Sequence, residues 1–184
     1  MDYLKMNCIN NSTTINMEKV VLVNLDDQVI GQEEKMIAHE KGLLHRAFSV
    51  FLFNENQVLI HKRASSKYHC GGLWTNTCCS HPRMNEEVVD AAIRRLKEEL
   101  GIEVEELKEV SKFVYHYPFS NGLTEYEVDH VIVGEYNGSW IINPEEVDEI
   151  KWVDINELKE DILKNPSKYT PWFITALNQA IQGR

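Results

Sequence analysis

Two adjacent cysteines, a histidine and a pair of carboxylates stand close together in this sequence, and these residue types are well suited to chemistry. Cys78, Cys79 and His81 precede a helical pattern that ends in Glu98 and Glu99. Cys79 lies in a polar stretch before a helix N-terminus, which favours a reactive thiol. The alternative is that Cys79 is a small buried hydrophobe.

The helix that follows is indicated by apolar residues at three- and four-residue steps, which predict a helix over residues 86–100. Asn85 is the predicted N-cap, and Gly101 suits the C-terminal stop. Arg95 and Glu99 are four residues apart and therefore neighbours on the polar side. Such a pair could bind a phosphate and its accompanying metal. The alternative is a solvated helix with routine ion pairs.

A second acidic pair, Glu125 and Glu127, lies two residues apart in a predicted strand, so both carboxylates point to one face. Like charges so placed are unfavourable unless a cation lies between them or one carboxyl is protonated. Imidazole with carboxylate is a ligand set for zinc, manganese or a related ion, and His39, His45 and His81 are the candidate nitrogen ligands. A solvated acidic face is the alternative. The remaining histidines are interpreted as structural or surface residues: His61, His69, His116 and His130.

A basic cluster follows the first predicted hairpin and stands out in an otherwise acidic chain. Arg63 and Lys67, together with Arg95, could form a local anion site. The alternative is the solvated end of a strand.

The composition is that of a globular protein with one domain of 184 residues, 43% hydrophobic and 26% charged. A formal charge of −10 argues against nonspecific binding to nucleic acid or an anionic membrane. No apolar run approaches the length of a membrane span, and the four cysteines make a poor disulfide framework. We therefore expect a reduced, cytoplasmic setting, without nucleic-acid or membrane partners, and a monomer or weak homodimer.

The order of predicted elements indicates one α/β or α+β layered domain over residues 18–184, preceded by a flexible extension over residues 1–17. Helices are predicted at 86–100, at 155–164, and at 171–181 with Thr170 as cap and Gly183 beyond the end. The predicted strands are 17–24, 48–53, 58–61, 112–117, 125–136 and 150–154.

The segment from Ser80 to Ile102 resembles the Nudix box, in which a glycine is followed at fixed spacings by glutamate, Arg-Glu, a Glu-Glu pair and a closing glycine. Glu86, Arg94, Glu98, Glu99 and Gly101 match this pattern. Two positions depart from it, since Ser80 replaces the first glycine and Arg95 replaces the glutamate after arginine. That glutamate is central to metal-assisted hydrolysis in Nudix pyrophosphohydrolases, so its replacement puts hydrolysis in doubt.

Further motifs resemble type I isopentenyl-diphosphate isomerases, and this likeness runs from about Val20 to Ile181. The matching segments are residues 35–39, 45–49, 63–67, 74–82, 115, 125–127 and 171–172. The resemblance implies a Nudix-type α/β/α sandwich with a mixed sheet. It also implies interconversion of isopentenyl diphosphate and dimethylallyl diphosphate, a small-molecule diphosphate substrate.

The same resemblance implies the roles of individual residues. One divalent ion (Mn²⁺, Mg²⁺ or Zn²⁺) would be held by His39, His45, His81, Glu125 and Glu127. A Mg²⁺ ion would join the substrate diphosphate to Glu99 and the backbone carbonyl of Cys79. The diphosphate itself would be bound by Lys35, Arg63, Lys67 and Arg95.

Moving an unactivated double bond requires one proton-transfer group on each side of the substrate, and Cys79 and Glu127 would supply them. Glu127 is favoured as donor and Cys79 as acceptor. Tyr115 would tune the Glu127 carboxyl, and the face of Trp172 would stabilise developing positive charge. Two other functions stay open: a nucleoside-diphosphate pyrophosphohydrolase, and a binding module without turnover.

Overall fold

The computed structural model describes residues 18–184, so the extension predicted for residues 1–17 lies outside the described part of the chain. This part contains nine strands and four α-helices. In chain order these elements are β1 (Lys19–Val23), β2 (Val29–Glu34), α1 (Lys35–Lys41), β3 (His45–Asn54), β4 (Gln57–Arg63), β5 (Trp74–Thr75), β6 (Cys78–Ser80), α2 (Val88–Leu100), β7 (Lys108–Pro118), β8 (Thr124–Glu135), β9 (Val147–Asp154), α3 (Ile155–Lys164), a 3-10 helix (Pro166–Lys168) and α4 (Phe173–Gly183).

Strand β3 is the centre of a mixed sheet and is buried over nearly its whole length. It pairs in parallel with β8, in a register that sets His45 opposite Glu127. It pairs antiparallel with β6, which sets Ser49 opposite Cys79. Two parallel strands must be joined by a long crossover connection. The crossover from β3 to β8 contains α2 and the strands on either side of it. The sheet thereby brings distant parts of the sequence to one end of β3.

Two hydrophobic clusters lie on opposite faces of the sheet and give the predicted α/β/α sandwich. On one face, Leu96 and Leu100 of α2 pack with Leu52 and Ile132. On the other face, helices α3 and α4 contribute Leu158, Phe173 and Leu177 to a second cluster. The alternation of inward and outward side chains along β3 supplies both clusters from one strand. The predicted fold class is confirmed.

Two predicted helix starts were wrong, because neither predicted capping residue takes the N-cap position. Helix α2 begins at Val88 with Glu87 at the N-cap, because Asn85 adopts a left-handed turn conformation with φ of 63°. Helix α4 begins at Phe173, because the Thr170 hydroxyl lies 2.9 Å from that of Thr75 instead of capping the helix. Gly183 is the last residue of α4, not the residue beyond it.

The stop predicted for α2 is confirmed, since Gly101 adopts the left-handed conformation with φ of 61°. The first hairpin is also confirmed, with Phe53 opposite Val58. Four short or exposed elements were not predicted: β2, α1, β5 and β6. No helix among the described residues is long and apolar enough to cross a membrane.

Candidate active site

Two histidines project unpaired ring nitrogens into the protein interior. His39 lies in the last turn of α1, and His45 is the first residue of β3. In each ring Nδ1 contacts a backbone carbonyl, that of Lys35 at 2.7 Å and that of Leu43 at 2.8 Å. This contact places the proton on Nδ1 and leaves the Nε2 lone pair free. Both Nε2 atoms are buried without a hydrogen-bond partner.

The acidic pair of β8 meets these nitrogens. Oε2 of Glu125 lies 3.3 Å from Nε2 of His39, and Oε1 of Glu127 lies 3.3 Å from Nε2 of His45. Nε2 of His81, in the segment after β6, lies 3.0 Å from the same Glu127 oxygen. All five side chains are buried. Four of the five predicted ligands, from four separate segments, therefore come together within 4.8 Å of one another, and Glu125 lies beside them in a group with His39 and His69.

The donor set fits a divalent cation. Atoms that share an ion at about 2.1 Å are separated by about 3.0 Å in an octahedral site and about 3.4 Å in a tetrahedral one. The three nitrogen–oxygen distances in this cluster fall between these values or at their edge. Buried lone pairs that face one another at this spacing are unfavourable unless a proton or a cation lies between them. One divalent ion would satisfy the lone pairs of His39, His45, His81 and Glu127 together.

The protein environment keeps two of the ligands, Glu127 and His81, in metal-binding protonation states. Burial alone would raise the pKa of Glu127, but its contacts with His45 and His81 hold that pKa well below the usual range. Burial lowers the pKa of His81 to about 4, so its ring stays neutral at pH 7. A carboxylate and a neutral imidazole are the forms that ligate metals.

A cavity beside this cluster contains the predicted catalytic side chains. Cys79, Tyr115 and Glu127 line it, together with Arg63 and Trp172. The Tyr115 hydroxyl donates a 2.7 Å hydrogen bond to Oε2 of Glu127. The Arg63 guanidinium lies 3.7 Å from the Cys79 sulfur and 5.8 Å from the centre of the Trp172 ring. Thiol, carboxylate and an aromatic face therefore border one space.

The environment of Cys79 differs from that expected of a reactive thiol. Burial raises its pKa to about 12, and the nearby Arg63 cation only partly opposes this effect. Cys79 is therefore a neutral thiol at pH 7, whereas Glu127 is a carboxylate. These protonation states favour the thiol as the proton donor and the carboxylate as the acceptor, which is opposite to the order favoured from the sequence.

The four predicted diphosphate-binding cations line the same cavity, and three of them are paired with carboxylates. Lys35 lies 2.9 Å from Glu18, and Arg95 lies 2.6 Å from Glu99. Lys67 forms a close ion pair with Glu146, which was not predicted to lie at the site. Glu146 follows no recognisable spacing, and it reaches the cavity from the segment before β9. A bound diphosphate would have to compete with these acids for the cations.

Arg94, the Nudix-box arginine, and Arg95, which replaces the following glutamate, share Glu98 but otherwise have different partners. Arg94 contacts Glu86 at 2.7 and 2.9 Å and thereby ties the segment before α2 to the helix. Arg95 instead contacts Glu99, which is buried, and reaches Glu146 at 3.4 Å. Arg95 and Glu146 line the cavity, whereas Arg94, Glu86 and Glu99 do not. The departure from the box therefore places a cation where the pattern has an acid.

One histidine interpreted as structural or surface lies at the site instead. His69 is buried, and its Nε2 lies 2.6 Å from Oε1 of Glu125. It belongs to the irregular segment between β4 and β5, where no periodicity indicates which way a side chain points. The sequence therefore contained no signal that would have assigned it.

The fold and the site define a Nudix domain, and a family model of that description matches residues 43–173. A solved structure of the DR0079 protein from Deinococcus radiodurans has a similar fold, with a TM-score of 0.71 and 20% identity over 89% of this chain and 99% of that one. This second likeness concerns the fold alone.

Two curated relatives specify the branch. "Isopentenyl-diphosphate Delta-isomerase 2" of Aromatoleum aromaticum is 48% identical over 91% of this chain and 88% of its own length. "Isopentenyl-diphosphate Delta-isomerase" of Serratia proteamaculans is 45% identical over 87% of this chain and 89% of its own length. The chain belongs to the isopentenyl-diphosphate Delta-isomerase family of Nudix proteins.

Proposed function

We propose that this protein interconverts isopentenyl diphosphate and dimethylallyl diphosphate, with Cys79 and Glu127 as its two proton-transfer groups. The observation that carries the assignment of these residues is their presence on one cavity, together with the basic side chains that would bind a diphosphate. The names of the relatives support the choice of substrate, and the side chains that line the cavity support the proton-transfer roles.

Isomerisation adds a proton to the terminal alkene carbon, C4, and removes one from C2, through a species with tertiary carbocation character. Because the reaction is reversible, each group donates in one direction and accepts in the other. In the direction that consumes isopentenyl diphosphate, the Cys79 thiol would donate and the Glu127 carboxylate would accept, and their protonation states support this order.

The surrounding residues stabilise this proton exchange. Tyr115 donates a hydrogen bond to Glu127, which stabilises the carboxylate form. The Trp172 ring is 4% exposed, and its face can stabilise developing positive charge by roughly 2 kcal/mol in a site without water. Exclusion of water also prevents capture of the cation as an alcohol.

Divalent ions would complete the site. His39, His45, His81, Glu125 and Glu127 would hold one ion, whether Mn²⁺, Mg²⁺ or Zn²⁺. Mg²⁺ would accompany the diphosphate at Glu99 and the Cys79 carbonyl. These ions would supply fixed positive charge that orders the acidic side chains and neutralises the substrate. Lys35, Arg63, Lys67 and Arg95 would contact the diphosphate oxygens.

A single assay tests this function. Purified protein is incubated with Mg²⁺ and isopentenyl diphosphate, and proton NMR follows the vinyl signals and the appearance of the dimethylallyl methyl signals. Conversion to an equilibrium mixture is expected. Phosphate release from the substrate or from nucleoside diphosphates, without any isomerisation, would instead support a pyrophosphohydrolase. Binding of the substrate without turnover would support a binding module.

A further inference from the structure

His69 is a buried histidine that lies against the metal cluster but outside the set of ligands assigned above. Its Nε2 is 2.6 Å from Oε1 of Glu125, while the other oxygen of that carboxylate, Oε2, faces His39 at 3.3 Å. The two oxygens of Glu125 therefore have different neighbours. One faces the cluster, and the other faces His69.

The short distance distinguishes His69 from the ligands. The three ligand pairs in the cluster are separated by 3.0 to 3.3 Å, which suits atoms that share one ion. A separation of 2.6 Å is too short for two ligands of one ion, but it suits a hydrogen bond from N–H to a carboxylate. His69 is therefore placed to contact the carboxylate directly and not through a metal.

The packing around His69 holds its ring in one orientation. The Phe119 ring stacks on it with centroids 4.9 Å apart and an interplanar angle of 10°. Tyr68 meets it edge-on at 4.5 Å. Both ring nitrogens are buried, and neither meets the angular requirement for a hydrogen bond among residues 18–184, although Nε2 lies 2.6 Å from Oε1 of Glu125. An N–H on Nε2 would have a carboxylate acceptor at contact distance, whereas an N–H on Nδ1 would have none.

We propose that His69 is a positioning residue of the metal centre, which donates its Nε2 proton to Oε1 of Glu125 and so directs Oε2 towards the ion. A ligating carboxylate can rotate about its last torsion, and a hydrogen bond to one oxygen removes that freedom. Partners of this kind typically change metal affinity by tenfold to a hundredfold. The inference rests on the proposed metal site.

The test separates the hydrogen bond from the packing with two substitutions. His69→Gln keeps an N–H donor near the position of Nε2 but loses the ring. His69→Phe keeps the aromatic stack on Phe119 but loses the donor. His116→Phe is the matched control, because His116 is an exposed histidine that packs edge-on against Tyr126. Each protein is stripped with a chelator and titrated with Zn²⁺ and with Co²⁺ against a competing chromophoric chelator.

His69→Phe is expected to weaken binding of both ions by about tenfold to a hundredfold, whereas His69→Gln and His116→Phe stay within about threefold of the parent. The visible spectrum of bound Co²⁺ should keep the same ligand number in all four proteins. Metal-free melting temperatures report whether the fold is intact.

Three results would overturn the inference. Parent-like affinity in His69→Phe would show that the donor is not needed. Equal loss in His69→Gln and His69→Phe, with a changed Co²⁺ spectrum, would make His69 a direct ligand. A parent protein that holds no ion at this site would remove the proposed metal centre together with the role of His69, whereas the first two results leave that centre in place.

Discussion

The Tyr115 hydroxyl donates its hydrogen bond to Oε2 of Glu127, whereas the histidines contact Oε1 of the same carboxylate. One carboxylate oxygen of Glu127 therefore faces the histidines of the metal cluster, and the other faces Tyr115. Tyr115 lies opposite Glu127 in the register of β7 and β8, so the contact is fixed by strand pairing. A single side chain can therefore serve as both ligand and proton-transfer group.

Replacing Tyr115 by phenylalanine should slow turnover without loss of the fold. A hydrogen bond to a charged group contributes roughly 1.5–3 kcal/mol, so a decrease in kcat of about tenfold to a hundredfold is expected. Steady-state kinetics measure kcat and KM separately, and KM should change little because the phenol contacts Glu127 and is not among the proposed diphosphate-binding groups. A parent-like kcat in Tyr115→Phe would exclude Tyr115 from proton transfer.

Cys79→Ser and Glu127→Gln should each lower kcat by at least about a thousandfold, because each removes one of two proton-transfer groups. Cys78→Ser is the matched control: its thiol is fully buried in the hydrophobic core, and most activity should remain. An essential Cys78, or full activity in Cys79→Ser, would contradict the assignment.

Deuterium incorporation can show which group serves which carbon. Cys79→Ser is incubated in D₂O with isopentenyl diphosphate and, separately, with dimethylallyl diphosphate, and slow exchange at C4 of isopentenyl diphosphate would mean that Glu127 protonates that carbon. Absence of exchange at C4, with slow exchange at C2 of dimethylallyl diphosphate, is expected if Cys79 is the C4 donor. Proton NMR distinguishes the two positions.

Removing His81 should release the metal ion. His81→Ala deletes a buried nitrogen ligand, so metal analysis by mass spectrometry should find the tightly held ion in the parent and not in the variant. Activity should be lost with the ion while circular dichroism shows a folded protein. His116→Ala, on the exposed face of β7, should keep the ion. Full metal content in His81→Ala would exclude His81 as a ligand.

Arg95→Ala should weaken substrate binding by about tenfold to a hundredfold, because an arginine–diphosphate contact contributes roughly 1.5–3 kcal/mol. Arg95→Glu should be worse through repulsion of the phosphates. Arg94→Ala is the control, since Arg94 pairs with Glu86 and Glu98 outside the cavity. Product-formation assays give KM for each protein. An unchanged KM in both Arg95 variants would remove Arg95 from the diphosphate site.

His61 should make the fold sensitive to acid. Burial lowers its pKa to about 4, so the unfolded state binds a proton below pH 6.5 that the folded state does not. Stability is therefore lost as the pH falls from 6.5 towards 4, by about 2 kcal/mol between pH 7.5 and pH 5. Urea unfolding of the metal-free protein at both values measures the loss. In His61→Gln, the difference in unfolding free energy between pH 7.5 and pH 5 should be smaller than in the parent by about 2 kcal/mol.

Local patterns in the sequence determined the elements whose residues repeat over several turns or alternate strongly. The i, i+3, i+4 apolar residues of α2 and the stop at Gly101 specify that helix without reference to the rest of the chain. Helix α3 spans Ile155–Lys164 as predicted, because Asp154 caps its first turn and apolar residues recur on one side. The family likeness added the roles of Cys79, Tyr115 and Glu127, which rest on motifs, not on periodicity.

Tertiary structure decided what depends on pairing and burial between distant segments. Strand β6 has three residues and no pattern of its own, and it exists because it pairs with β3. His69 meets Glu125 only because the loop after β4 folds against the start of β8. The raised pKa of Cys79 likewise comes from enclosure by other segments and not from its neighbours in sequence. Desolvation is a property of the surrounding three-dimensional structure, so the sequence near a residue does not report it.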